Sequence, residues 1–507
     1  MNPTSPIRPP ERYLYALLLL ALASVRLFHL GEAIDDPHSW RQCDTAFYIW
    51  DFYQNGIDLL HPSVCWMGGH KTLILEFPLP EALVALVYHV LGPSHLAARL
   101  VFLLIYLASA FYLFRIIRSL YHERLAWLAA AVYLSLPLGI FYSRAIHVDF
   151  SALLCGLAAV DYLLRGLREN QPLLIVFSVV IASIGFLIKA PYLFYFALPV
   201  VWWVWKENLL KKALPYTPLL LVPLACFYAW RLHTEAVNAA APDWFYIPGY
   251  LKMSGAGMSD WYFGTWAQRQ DSYIWKVLFQ ERLWRDVLAK WGLLFAAVGF
   301  FLPRTATGKG TGFARLWALG VLAYLLLFFN LNYFHDYYQI PFLPVAALLI
   351  ALGIEAITGW AKNAVPRISE HAQHSISIGI LALLCAWNVW TAETHPLYYL
   401  LDRPLIEAGE IVQAHTQPED LVILSRTLTD PRNPLWLYRA RRKGWSVHID
   451  RITPEVIRRL QNENAAYAGF LSTAPLDSAM SDFLSPFPAD TFVLQSDGST
   501  LYIYDLR

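Results

Sequence analysis

A chain of 507 residues with 57% hydrophobic and only 15% charged side chains is far more apolar than a soluble domain, which carries roughly 25% charge. Its formal net charge of +1 gives no electrostatic footing for a nucleic-acid partner. Twenty Trp and 29 Tyr suit the belts at membrane interfaces, where a ring is half apolar and half wet.

The chain opens with Arg8 and Arg12 ahead of an apolar run, Tyr13 to Leu30. That run is about long enough to span, and no A-x-A cleavage signal follows, so it reads as a retained first helix. About eleven segments meet the requirement of some 20 mostly apolar residues. They lie near 13–32, 95–116, 124–142, 148–166, 172–188, 191–205, 215–231, 285–302, 315–332, 339–358 and 376–393. With the N-terminus inside, the cytoplasmic segments collect Arg8, Arg12, Arg115, Arg118, Arg124, Arg165, Arg168, Lys206, Lys211, Lys212, Arg304, Lys309, Arg315, Lys362 and Arg367. The short loops of the other side hold only Arg144 and Lys189. This asymmetry follows the positive-inside rule and runs the length of the chain, and an odd number of spans then puts the C-terminus outside.

Three longer segments fall outside. Residues 31–94 include two amphipathic pieces, Ala46 to Tyr53 and Glu81 to Val90, too short to span and suited to the interface. Residues 232–282 carry an aromatic and Gly-rich stretch, DWFYIPGYLKMSGAGMSDWYFGTW. From about His395 the character changes: charge rises, and strand-like runs (LVILS, SVHID, TFVLQ, LYIYD) alternate with the helical EVIRRLQNE. This predicts a small α/β domain over 395–507 behind a transmembrane domain over 1–394.

Cys155, Cys226 and Cys385 lie in apolar runs as small core residues; Cys43 and Cys65 share one polar loop and are a candidate pair in an oxidising compartment.

Ionisable groups at a membrane edge are costly and are functional candidates by default. Five sets stand at the outer ends of helices: DDPHSWRQCDTA (Asp35 to Ala46), HKTLILEFPLP (His70 to Pro80), SRAIHVDF (Ser143 to Phe150), FLIKAPY around Lys189, and NYFHDYYQIP (Asn332 to Pro341). Each also has a plain structural reading. Asp35 and Asp36 terminate a helix, Arg41 snorkels to lipid phosphate, Asp44 and Asp149 cap helices, Glu76 sits at a helix N-terminus, Lys189 anchors at the interface, and His335 with Asp336 is a loop pair. The shared side carries more weight than any one residue. A carboxylate beside an acceptor hydroxyl serves as general base, while Arg and Lys neutralise a phosphate leaving group. Such a mixed set on the outer side suits a lipid-phosphate donor entering from the bilayer and a polar acceptor from water. His38, His70, His147 and His335 with nearby carboxylates leave a divalent metal as an option, without any HExxH spacing behind it.

These phrases, in this order, resemble bacterial membrane glycosyltransferases of the GT-C superfamily, relatives of protein O-mannosyltransferases and of the aminoarabinose transferase acting on lipid A. The resemblance covers most of 10–360 and rests on HSWRQCDTA, EFPLPEALVALVYHVLG, AARL at 97–100, PLGIFYSRAIHVDF, FLIKAPY and HDYYQIPFLP. The WRQ–DTA phrase with a later HDYY resembles a subgroup that commonly ends in a periplasmic α/β tail. The resemblance implies catalytic roles for a first-loop acid, Asp44 or Asp36, for Asp149 opening the fourth helix, and for Glu76, which stands where relatives have a Glu-Lys-Pro phrase. Phe77 replaces that Lys here, moving the donor-phosphate contact to Arg41 or Lys189, with His335 and Tyr337 beside them. Better-known members carry an Asp-Glu pair in the first loop, and an ungapped match puts Arg41 at that position, so the base stays open between Asp44 and Asp36. The implied protein is an α-helical polytopic enzyme of a bacterial inner membrane. It would move a sugar, with inversion, from a polyprenyl phosphate to a periplasmic or envelope lipid, polysaccharide or protein. The competing reading is a flippase of lipid-linked sugars, although no repeat appears and the polar residues sit at helix ends rather than midspan.

Overall fold

The computed structural model describes residues 9–242, 253–255, 258–302, 308–365, 369–426 and 434–507. Arg8, Arg304 and Arg367, the side chain of Lys309, and much of the aromatic and Gly-rich stretch lie outside them. The chain divides into two units. The first comprises residues 1–31, 98–231 and 257–398; the second comprises 32–97, 232–256 and 399–507.

The first unit is helical. Seven helices of the described chain are long and apolar enough to cross a membrane: His95–Leu120, Asp149–Glu169, Pro172–Lys189, Leu210–Ala239, Gly310–Leu327, Phe342–Ala364 and Glu370–Glu393. The other expected spans are shorter or broken, and proline is a main cause. Leu136, before Pro137, is extended at ψ 132°, so the stretch expected at 124–142 becomes Glu123–Ser135 followed by Pro137–Tyr142. Pro191 likewise opens a short turn, Pro191–Phe194, between Pro172–Lys189 and Ala197–Lys206. The segment expected at 285–302 begins in a π-helix, Val277–Val287, and resumes as Gly292–Phe301 after Ala289 and Lys290 take positive φ.

Phe342–Ala364 is the most buried of these helices and packs on Gly292–Phe301. A Cβ on Gly299 would stand 1.9 Å from the Leu349 carbonyl oxygen, and one on Gly353 would stand 2.0 Å from that of Phe295. Only glycine permits this backbone contact, which is how helices associate where lipid is as apolar as leucine.

The second unit is mixed. Helix Ser39–Asn55 and helix Leu79–Leu91 contain the two amphipathic pieces expected for the first loop. Between them runs a two-stranded ladder, β1 (Ser63–Val64) antiparallel to β2 (Lys71–Thr72). The tail forms a five-stranded sheet from β3 (Leu421–Arg426), β4 (Gly444–His448), β5 (Ala465–Ser472), β6 (Ala489–Val493) and β7 (Thr500–Asp505), in the order β4-β3-β5-β7-β6. Pairs β3–β4 and β3–β5 are parallel and pairs β5–β7 and β6–β7 antiparallel; helix Pro454–Asn462 connects β4 to β5.

The first loop covers edge strand β4. The Gly68 amide donates to the Gly444 carbonyl and the Gly444 amide to the Cys65 carbonyl, both at 2.8 Å, which occupies backbone groups an open edge would expose. Gly68 has φ +87°, and a Cβ there would lie 2.6 Å from the Trp445 ring. The third segment joins through Asn238, whose side chain exchanges hydrogen bonds of 2.8 and 2.9 Å with the Ile74 backbone.

Candidate active site

In the first unit, helix Asp149–Glu169 begins at Asp149, and helix Pro172–Lys189 ends at Lys189. The Lys189 ammonium donates to both Asp149 carboxylate oxygens, at 2.9 and 3.0 Å. His147 Nδ1 lies 2.6 Å from Asp149 Oδ2, and the Tyr192 hydroxyl donates to Oδ1. All four side chains are buried. Lys189 also faces the rings of Tyr338 at 4.4 Å, Tyr337 at 5.1 Å and Tyr192 at 5.3 Å. One carboxylate and three aromatic faces thus surround a single cation.

The HDYY phrase supplies the aromatic part. His335 stacks on Tyr337 with centroids 5.1 Å apart and rings 6° from parallel, and Tyr337 lies 4.5 Å from the His147 ring. Asp336 is buried and accepts a hydrogen bond from the Tyr142 hydroxyl, so it is not an exposed loop acid. SRAIHVDF, FLIKAPY and HDYY therefore meet within one unit.

In the second unit, Arg41 and Asp44 sit one turn apart on helix Ser39–Asn55. Arg41 Nη2 pairs with Glu76, and Nη1 lies 4.0 Å from Asp44 Oδ2. Asp44 is 4% exposed and accepts a 2.8 Å hydrogen bond from the Trp66 indole N–H. Burial pushes its carboxyl up to about 7, against the opposing pull of Arg41 and the Trp66 bond; the Glu76 charge adds to the rise. Glu81, in the first turn of Leu79–Leu91, is also buried and pushed up to about 8 by that burial, with Arg41 and its own backbone amide opposing. Three carboxylates thus share the surroundings of one guanidinium, two of them titrating near neutrality, as a functional site does.

The other first-loop acids have structural partners. Asp36 Oδ1 accepts the Ser39 amide at 3.1 Å and so starts helix Ser39–Asn55, while its backbone bridges to Leu400. The backbone carbonyl of Asp35 accepts from Gln42 Nε2 at 2.7 Å. Cys43 and Cys65 are both buried free thiols, so the candidate pair is not bonded in this structure. Among the described residues no three His, Cys, Asp or Glu side chains form a metal-holding group, which leaves the divalent-ion option without a donor cluster there.

Trp66, Glu81 and Tyr192 were not singled out from sequence. Tyr192 follows Lys189 by three residues inside FLIKAPY, and Glu81 follows Glu76 by five inside EFPLPE, so both lie within phrases already marked. Trp66 carries no comparable signal.

Residues 76–233 match the family described as dolichyl-phosphate-mannose-protein mannosyltransferase. No curated protein sequence matches the chain. Among solved structures, the chain is similar to ArnT from Cupriavidus metallidurans bound to undecaprenyl phosphate, with TM-score 0.60, 13% identity and 98% of both chains covered. It is also similar to the oligosaccharyltransferase AglB from Archaeoglobus fulgidus, in complex with an inhibitory peptide and a dolichol-phosphate. That likeness has TM-score 0.53 and 11% identity over 98% of this chain and 74% of that one. The arabinofuranosyltransferase AftD from Mycobacteria matches with TM-score 0.55 and 12% identity over 99% of this chain and 40% of that one. At such identities the likeness is one of fold. The resemblance drawn from the sequence phrases is met by both kinds of comparison, although neither bears on the narrower WRQ–DTA grouping.

Proposed function

We propose that the chain is a membrane glycosyltransferase of the GT-C superfamily, which transfers a sugar from a polyprenyl-phosphate donor to a hydroxyl of an envelope acceptor, with inversion. The observation that carries the reading is Asp44, a buried carboxylate raised to about 7 and held by Trp66 and Arg41. A general base is most effective when its pKa lies near the working pH. Asp44 takes the proton of the acceptor hydroxyl as that oxygen attacks the anomeric carbon. The bond from that carbon to the phosphate oxygen breaks on the opposite face, and the polyprenyl phosphate leaves with the electron pair. Asp36 is assigned to the helix start rather than to the base. Arg41 contacts the departing phosphate, and its fork is kept in place by Glu76.

Asp149 takes a different part from that of a proton acceptor. A carboxylate already accepting from Lys189, His147 and Tyr192 is a poor base, and its value lies in holding Lys189 aimed as a phosphate contact, with His335 and Tyr337 lining it. The asymmetric distribution of Lys and Arg along the sequence supports an N-terminus inside, eleven crossings and an outer tail, in the inner membrane of a bacterium.

The test uses purified protein in nanodiscs with labelled polyprenyl-phosphate sugars and an envelope lipid extract, comparing wild type with Asp44→Asn. Transfer by the wild type and its loss in Asp44→Asn are expected. Undiminished transfer by the variant removes Asp44 from the chemistry. Movement of donor lipid across vesicles, without transfer to any acceptor, would instead establish a flippase.

A further inference from the structure

One basic run, RARRK from Arg439 to Lys443, has no part in the reaction above. Arg442 accounts for itself: it is buried and donates to Thr416 Oγ1 at 2.8 Å, to the Thr416 carbonyl at 2.6 Å and to that of Gln413 at 3.0 Å, tying the start of β4 to the end of helix Arg403–His415. The other three cations line a cleft in the second unit. Its larger chamber holds about 750 Å³ and its smaller about 240 Å³, and the two share Phe47, Trp50, Gln413 and Arg441.

Arg441 stands exposed at the junction with its guanidinium 4.7 Å from the Trp50 ring centroid. Lys443 Nζ lies in the larger chamber, 3.2 Å from Asp51 Oδ1, 3.1 Å from Ser63 Oγ and 3.0 Å from His70 Nδ1. Arg439 lines the smaller chamber, and its Nε and Nη2 are buried with no hydrogen-bond partner among the described residues. A buried guanidinium with unmet donors is costly unless an anionic oxygen completes it. The acids of the larger chamber are mostly committed. Asp51 is bonded to Lys443, while Asp420 accepts the Gln417 amide and lies 3.9 Å from Arg507.

We propose that this two-chambered cleft binds an anionic saccharide, a glycan carrying carboxylate or phosphate groups, and that this glycan is the acceptor. The proposal rests on the glycosyl-transfer reading above. An aromatic face beside a guanidinium fork suits a sugar ring next to an acidic group. Asp44, Phe47 and Asp51 recur at helical spacing on one face of Ser39–Asn55. At 1.5 Å per residue the cleft residue Asp51 is about 10 Å along the helix from Asp44, the reach of a short oligosaccharide.

The test measures binding of an oligogalacturonate to the full-length protein in nanodiscs without donor, against its methyl ester, which has the same rings and no charge. The acidic form is expected to bind at least about tenfold tighter, with the advantage falling as salt rises. Arg441→Asn, which tolerates the left-handed backbone at φ +50°, and Trp50→Ala are each expected to weaken it about fivefold or more. Equal binding of the two forms, or unchanged binding by Arg441→Asn, overturns the proposal. Preloading the nanodisc with a phosphorylated glycolipid blocks the oligosaccharide if the natural glycan is lipid-borne and leaves it unblocked if it is soluble or polymeric. Because the readout is binding without turnover, absence of transfer would count against the reaction and not against the cleft.

Discussion

Removing the Trp66 indole N–H isolates one contribution to the Asp44 carboxyl. Trp66→Phe keeps an aromatic ring in the site and deletes the 2.8 Å bond that stabilises the ionised form. A hydrogen bond to a charged group contributes about 1.5–3 kcal/mol, and about 1.4 kcal/mol corresponds to one pH unit, so the carboxyl rises by about 1–2 pH units from near 7. Activity requires the ionised base, so kcat/KM for transfer rises with pH through the Asp44 pKa. The wild-type acid limb is expected near pH 7, the Trp66→Phe limb about 1–2 units higher, and the plateau at high pH is largely retained. Stability runs the other way. A folded-state pKa raised from the unfolded value near 4 favours the protonated folded protein, so this contribution is complete below pH 4 and is lost as pH rises through 7. An acid limb that stays in place in Trp66→Phe, with the fold intact by circular dichroism, would refute the assignment of Asp44 as base.

Three further outcomes follow from the described contacts. Asp149→Asn leaves Lys189 buried without its counter-charge and should cost about 3–5 kcal/mol, read as earlier thermal aggregation; the double variant Asp149→Leu with Lys189→Met recovers most stability and no activity. Arg41→Lys keeps the charge but loses the guanidinium fork, so donor KM should rise about tenfold while Lys189→Met affects donor binding independently of acceptor. Gly68→Ala drives a Cβ into the Trp445 ring from a left-handed backbone, and about 1–3 kcal/mol of strain should appear as faster proteolysis of the tail, with a smaller effect from Gly56→Ala, which shares the backbone strain but meets open space.

Much of this architecture is legible from local pattern. The apolar runs, the two amphipathic first-loop helices and the strands LVILS, SVHID, TFVLQ and LYIYD carry their own periodicity, and β3, β4, β6 and β7 fall on those four runs. Strand β5, AAYAGFLS, lies in the middle of the sheet and is missed because Ala and Gly have little β-propensity; pairing on both sides decides it. Within the site, SRAIHVDF and FLIKAPY can be marked as unusual from sequence, since an Asp and a Lys stand at the edges of apolar helices. Their mutual pairing is tertiary, and only the fold sets Lys189 against Asp149. The same holds for Trp66, which only the packing of the loop brings to Asp44.

The seam between Gly68 and Gly444 also orders events during synthesis. The first loop is made long before its β4 partner, so at 5–20 residues per second roughly 20–75 s separate Gly68 from Gly444. Through that interval the loop around Cys65 and Gly68 has no strand to dock on, and the environment of Asp44 is incomplete. Folding of the second unit therefore waits on the synthesis of β4, and a chain stopped before β4 would be inserted in the membrane yet inactive. Such a protein withholds its reaction until β4 has arrived.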